Sequence, residues 1–177
     1  MADHQESERI HPRGGSKGNY IVAIDPGSEK SGVVVWDAEK QTRIEAYVID
    51  NIDLIVWIRR LHPALFCVAI EQIRGYGIVA GNDTFDTCQW SGRFQEAHEQ
   101  RGGTVYMLPR KDIKKHLCGN ITTNDKYIRA ALIDRLGEPG TKKNPGPLFG
   151  ISGHLWSALA VAIVCQDLKK ASRLKEA

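Results

Sequence analysis

Residues 20–37 read YIVAIDPGSEKSGVVVWD. An apolar run, Ile21 to Ile24, ends in an acid, Asp25, and a second apolar run, Val33 to Trp36, follows a short polar gap. Runs of this length, rich in β-branched residues, predict two buried strands, 20–25 and 32–37. Asp25-Pro26-Gly27-Ser28 between them has turn chemistry: proline presets its own φ, and glycine tolerates φ above zero. A carboxylate at the edge of a buried strand loses water and needs a partner. That partner can be a cation, a backbone donor or a metal.

Working outward, TRIEAYVI (42–49) alternates enough for a third strand, giving an antiparallel meander. NIDLIVWIRRL (51–61) has helical spacing after a candidate cap, Asn51. ALFCVAIEQ (64–72) is a continuous apolar run, as expected of a parallel strand covered on both faces. A helix from Asp83 or Thr84 to about Gln100, a strand over 104–109 and a short helix from Arg110 follow. A longer helix is expected over 122–136, with Thr123 or Asn124 as cap, and a final one over 153–168. The last carries a broad apolar stripe: Leu155, Trp156, Leu159, Ala160, Ile163 and Val164. EPGTKKNPGPLFG (138–150) is rich in proline and glycine and reads as a long irregular loop, which in a compact domain is usually functional or disordered. The element order predicts an α/β fold: a mixed sheet, with a three-strand antiparallel meander joined to parallel strands and flanked by helices.

The chain has 177 residues, which suits one domain with a core of ordinary size. Residues 1–18 read as a disordered leader without the apolar segment of a signal peptide, 19–170 as the folded domain and 171–177 as a flexible tail. No stretch is long enough for a membrane span, so no membrane partner is expected. The four cysteines (67, 88, 118 and 165) have no zinc spacing and read as reduced core residues of a cytoplasmic protein. Net charge is only +3, but basic residues crowd between Arg110 and Lys143, a candidate phosphate-facing surface as much as a solvated face.

Two acids, Asp25 and Glu71, end apolar strands, and sites in open α/β sheets form at the carboxyl ends of strands. If those strands pair, the two carboxylates repel unless one is protonated or a cation lies between them. The local alternatives are that Asp25 caps its own turn and that Glu71 pairs with Arg74. GISGHLWSALAVA (150–162) adds His154 and Ser157, which share one helix face. A neutral imidazole there can ligate a metal or act as a base.

These segments, in this order, resemble the RuvC-like Holliday junction resolvases of the RNase H fold. The resemblance rests on Asp25-Pro26-Gly27 with Gly32, on VAIEQ (68–72), on LPRKDIKKHLCGNITTNDKYIRAAL (108–132) and on GHLWSALAVA (153–162), and it covers roughly residues 20–168. TFDTCQWSGRFQEA (84–97) and GTKKNPGPLFGISG (140–153) look more like the phage-borne branch. The resemblance implies a magnesium-dependent endonuclease, with manganese able to substitute, that acts as a homodimer on branched DNA without a nucleotide cofactor. It implies two ions per site, held by Asp25, Glu71 and His154, with Lys126 neutralising phosphate charge and a 5′-phosphate left on the product. Arg74, Tyr76, Arg93, Lys114, Lys115, Lys142 and Lys143 become candidate DNA contacts. One position departs: Ser157 stands where the family usually carries an acid. Asp83, Asp86 and Asp125 are candidate substitutes, and reduced catalysis is the alternative. The rival readings are a less selective flap nuclease, a binding module without catalysis, and an actin-like phosphotransferase, for which the chain is too short.

Overall fold

The computed structural model describes residues 19–75, 77 and 80–176. The predicted 1–18 leader and Tyr76 lie outside the described residues. Five strands form one sheet: β1 (Tyr20–Asp25), β2 (Lys30–Asp37), β3 (Thr42–Asp50), β4 (Phe66–Gln72) and β5 (Val105–Pro109), in the order β3-β2-β1-β4-β5. The meander pairs antiparallel, and β4 joins β1, and β5 joins β4, in parallel. Among the described residues there are also five helices: α1 (Asn51–Ile58), α2 (Asn82–Glu99), α3 (Arg110–Cys118), α4 (Asp125–Leu136) and α5 (His154–Glu176). Fold class and element order are those expected.

The two-residue period of the strands divides the core. Ile21, Ala23, Cys67 and Ala69 face one way, packed with α5 and with Ile113 and Leu132 of α3 and α4. Tyr20, Val22, Ile24, Val68 and Ile70 face the other, against α1 and α2. Continuing the alternation, Asp25 and Glu71 belong to the α5 face. The register pairs Ile24 with Ile70, so the two acids are the next residues in adjacent parallel strands. Trp36 Nε1 donates a 2.7 Å hydrogen bond to the buried Gln166 Oε1, which helps fix α5 across β2.

Several expectations change. Asn51 is not the cap of α1: buried, it accepts from Ser31 Oγ at 2.6 Å and donates to Gly27 O at 3.0 Å, so it braces the turn after Asp25. The Asn124 cap of α4 is as expected, its side chain accepting from the Lys126 N–H at 3.1 Å. The 138–150 loop is ordered, with a bridge between Gly140 and Pro145 and with Leu148 in the core. α5 runs to Glu176, past the expected end at Leu168 and into the expected 171–177 tail, because residues 169–176 contain no Gly or Pro to stop it. Of the cysteines, Cys67 and Cys165 are buried, but Cys88 is exposed and Cys118 only half-buried, so neither belongs to the fully buried core.

Candidate active site

β1, β4, β5 and the N-termini of α4 and α5 converge at one edge of the sheet. His154, first residue of α5, donates or accepts through Nδ1 at 2.9 Å from Asp25 Oδ2. This approach depends on Gly32, which pairs with Asp25 in the register. A Cβ there would lie 2.9 Å from His154 Cβ and 3.0 Å from its carbonyl oxygen. Glycine leaves room for the first turn of α5 to sit directly on the strand. The His154 ring is 69% exposed, whereas the Asp25 side chain is only 14% exposed. One face of the pair is therefore open to a substrate.

Glu71 does not pair with Arg74, the local alternative to a metal role. Arg110 Nη1 donates to Glu71 Oε2 at 2.7 Å and to Ser157 Oγ at 3.0 Å, and Nη2 donates to Asp125 Oδ1 at 2.5 Å. Arg74 instead donates to Gln72 Oε1 at 3.0 Å. Arg110 was foreseen only as one member of the basic run. Its signal was available: it follows β5 directly, and β5 pairs with β4 so that Leu108 faces Glu71. The strand-end rule that selects Asp25 and Glu71 selects Arg110 as well.

Burial raises the Asp25 pKa above the usual carboxylate value, against the hydrogen bond and charge of His154 and the charge of Arg110. Burial pushes Glu71 up to about 7, with Arg110 opposing and the Asp25 charge adding to the rise. The two acids thus feel each other, as like charges at adjacent strand ends must. For Glu71 the folded chain holds a proton that the unfolded chain releases between pH 4.5 and about 7, so stability falls as pH rises through that window. With a chelator present, Glu71→Gln should flatten this dependence by on the order of 1–3 kcal/mol, read from urea melts at pH 5 and pH 8. An unchanged slope would contradict the assigned environment.

Of the three candidate substitute acids, the structure brings Asp125 to the pair; its charge acts on both Asp25 and Glu71. Asp83 and Asp86 lie in the first turns of α2, which packs on the opposite face of the sheet. Arg93 is also on α2, its guanidinium 4.0 Å over the Trp90 ring. Lys126 follows Asp125 at the start of α4 and is exposed; Lys115, Lys142, Lys143 and Arg74 are exposed too, and Lys114 is half-buried.

Buried carboxylate oxygens beside an imidazole are the donor chemistry of a hard divalent cation. Such an ion would relieve the repulsion between Asp25 and Glu71. As arranged, among the described residues, no three His, Cys, Asp or Glu side chains converge closely enough to hold one. Asp25 and His154 supply two donors 2.9 Å apart, to which water or substrate oxygens would have to be added, while Arg110 already holds Glu71 and Asp125.

No protein-family model matches the sequence, and no curated protein matches it. Solved structures do. The chain superposes on the Thermus thermophilus RuvC structure with a TM-score of 0.64 at 19% identity, covering 86% of this chain and 96% of that one. The fold is that of RuvC. T. thermophilus RuvC in complex with Holliday junction substrate matches with a TM-score of 0.57 at 20% identity, over 81% of this chain and 90% of that one. The RuvC fold accounts for the mixed sheet with helices on both faces. No helix among the described residues is long and apolar enough to cross a membrane.

Proposed function

We propose that this chain is a structure-selective endodeoxyribonuclease that resolves four-way DNA junctions by metal-dependent hydrolysis in the cytoplasm. One observation carries the reading. On a RuvC fold, shared with a protein solved in complex with a Holliday junction, two half-buried carboxylates stand at adjacent strand ends, and one of them, Asp25, meets a histidine at a helix N-terminus. Asp25 and His154 are the candidate holders of a magnesium or manganese ion, while Glu71 and Asp125 lie beside them, engaged by Arg110. When bound, such an ion supplies Lewis-acid stabilisation of a phosphoryl oxygen and a lowered pKa for its water.

The chain's own residues have separable tasks. The Asp25 carboxylate orients the His154 ring through Nδ1, leaving Nε2 as the nitrogen able to exchange a proton with water or substrate. Arg110 and Lys126 neutralise phosphate charge beside the acids. Lys114, Lys115, Lys142 and Lys143, with Arg74, Tyr76 and Arg93 as outer candidates, position the backbone without reading sequence. A four-way junction has two-fold symmetry, so paired cuts call for a homodimer. Half-buried Trp90 on α2, stacked on Phe94 with centroids 5.7 Å apart, is the candidate interface residue.

Incubation with magnesium and matched four-way, flap and linear DNA tests the reading. Selective cutting of the four-way substrate is expected. Equal cutting of flap or linear DNA would establish the less selective nuclease, and binding without cutting would establish the catalytically reduced module. Ser157→Asp should not raise the cleavage rate, because the new carboxylate would pair with Arg110. A large gain would show that the missing acid was limiting.

A further inference from the structure

The Glu71 side of the site already contains a cation. The Arg110 guanidinium is fixed by three acceptors from three different elements: Glu71 on β4, Ser157 on α5 and Asp125 on α4. Its side chain is only 23% exposed. A guanidinium is not deprotonated in proteins, so Arg110 is a fixed cation in this seat. A guanidinium carries five N–H groups in a fixed fork, and these contacts use three. Among the described residues, the other two make no hydrogen bond.

Ser157 makes sense in this setting. It accepts from the same Nη1 that contacts Glu71, so it completes the seat of the guanidinium. A divalent ion bound to Glu71 Oε2 would lie within a few ångströms of the Arg110 guanidinium on the same oxygen, where like charges repel. One guanidinium and one divalent ion balance the three carboxylates Asp25, Glu71 and Asp125. A second divalent ion would leave the pocket net positive.

We propose that Arg110 is the second cation of this site, seated between Glu71 and Ser157, so that each chain takes one divalent ion, on Asp25 and His154, rather than two. The proposal rests on the metal-dependent nuclease reading. It assigns Arg110 a charge-neutralising role toward the substrate phosphate, and it explains why residue 157 is uncharged.

Counting bound Mn2+ by electron paramagnetic resonance on the full chain tests it, without reference to activity. Wild type should bind one ion per chain, and Asp25→Asn none. Ser157→Asp should still bind one, since Arg110 meets the added charge. Arg110→Gln combined with Ser157→Asp should bind two. Two ions on wild type, or none, would overturn the proposal, as would one ion on a folded double variant. The wild-type count decides alone should the double variant not fold. Junction cleavage by wild type is scored separately: cleavage with two bound ions removes the Arg110 assignment and leaves the nuclease reading standing. One bound ion without cleavage of any DNA removes the nuclease reading.

Discussion

Asp25→Asn should abolish cleavage of a four-way junction while leaving the chain folded and its junction binding intact or tighter. The side chain is nearly buried, and the substitution keeps its shape. It removes the carboxylate that orients His154 at 2.9 Å and that repels Glu71 from the neighbouring strand. The loss in rate should exceed the roughly 10–100-fold typical of an outer partner of a metal ligand. Binding should hold or improve because one negative charge leaves the neighbourhood of the phosphate. Single-turnover cleavage and a gel-shift titration, run on the same preparation, separate the two effects. Cleavage within a few-fold of wild type would remove Asp25 from the centre of the site.

Gly32→Val should cost cleavage activity, although it replaces no ionisable group. The new Cβ meets His154 Cβ at 2.9 Å and the His154 backbone at 3.0 and 3.1 Å. The first turn of α5 must therefore move off β2. Overpacking of this kind costs about 1–3 kcal/mol, although valine suits a strand better than glycine does. The movement also separates His154 from Asp25, so activity should fall further than stability. The measurements are a thermal melt and the cleavage rate well below the melting temperature. A variant with a lowered melting temperature but a wild-type rate would show that the His154–Asp25 contact is dispensable.

The sequence carried the fold because its strands differ in kind. β1, β2 and β4 are apolar runs buried on both faces, as interior strands are, whereas β3 alternates at the sheet edge. Asp25 and Glu71 were legible from their position at strand ends, and His154 from its place at the head of an apolar helix. Arg110 was less legible, because a basic residue in a basic run carries no local mark. Its role comes from β5 lying next to β4, a pairing that no local pattern encodes. The choice among Asp83, Asp86 and Asp125 was likewise undetermined until the sheet faces were assigned. α2 covers the face away from the acids, so Asp83 and Asp86 begin on the wrong side. The turn at Pro26-Gly27 looked self-contained, yet Asn51, 24 residues beyond Gly27, braces it while accepting from Ser31. That long-range bracing is also invisible to turn chemistry.

The central claim is that the strand-end acids with His154 form a nuclease centre for branched DNA. A synthetic four-way junction, labelled on each strand in turn and incubated with magnesium beside a linear duplex of the same sequence, tests it most directly. Symmetric paired cuts in the junction, with 5′-phosphate ends, no cuts in the duplex and none with Asp25→Asn, are the predicted result. An intact junction, or cutting that persists in Asp25→Asn, would contradict it.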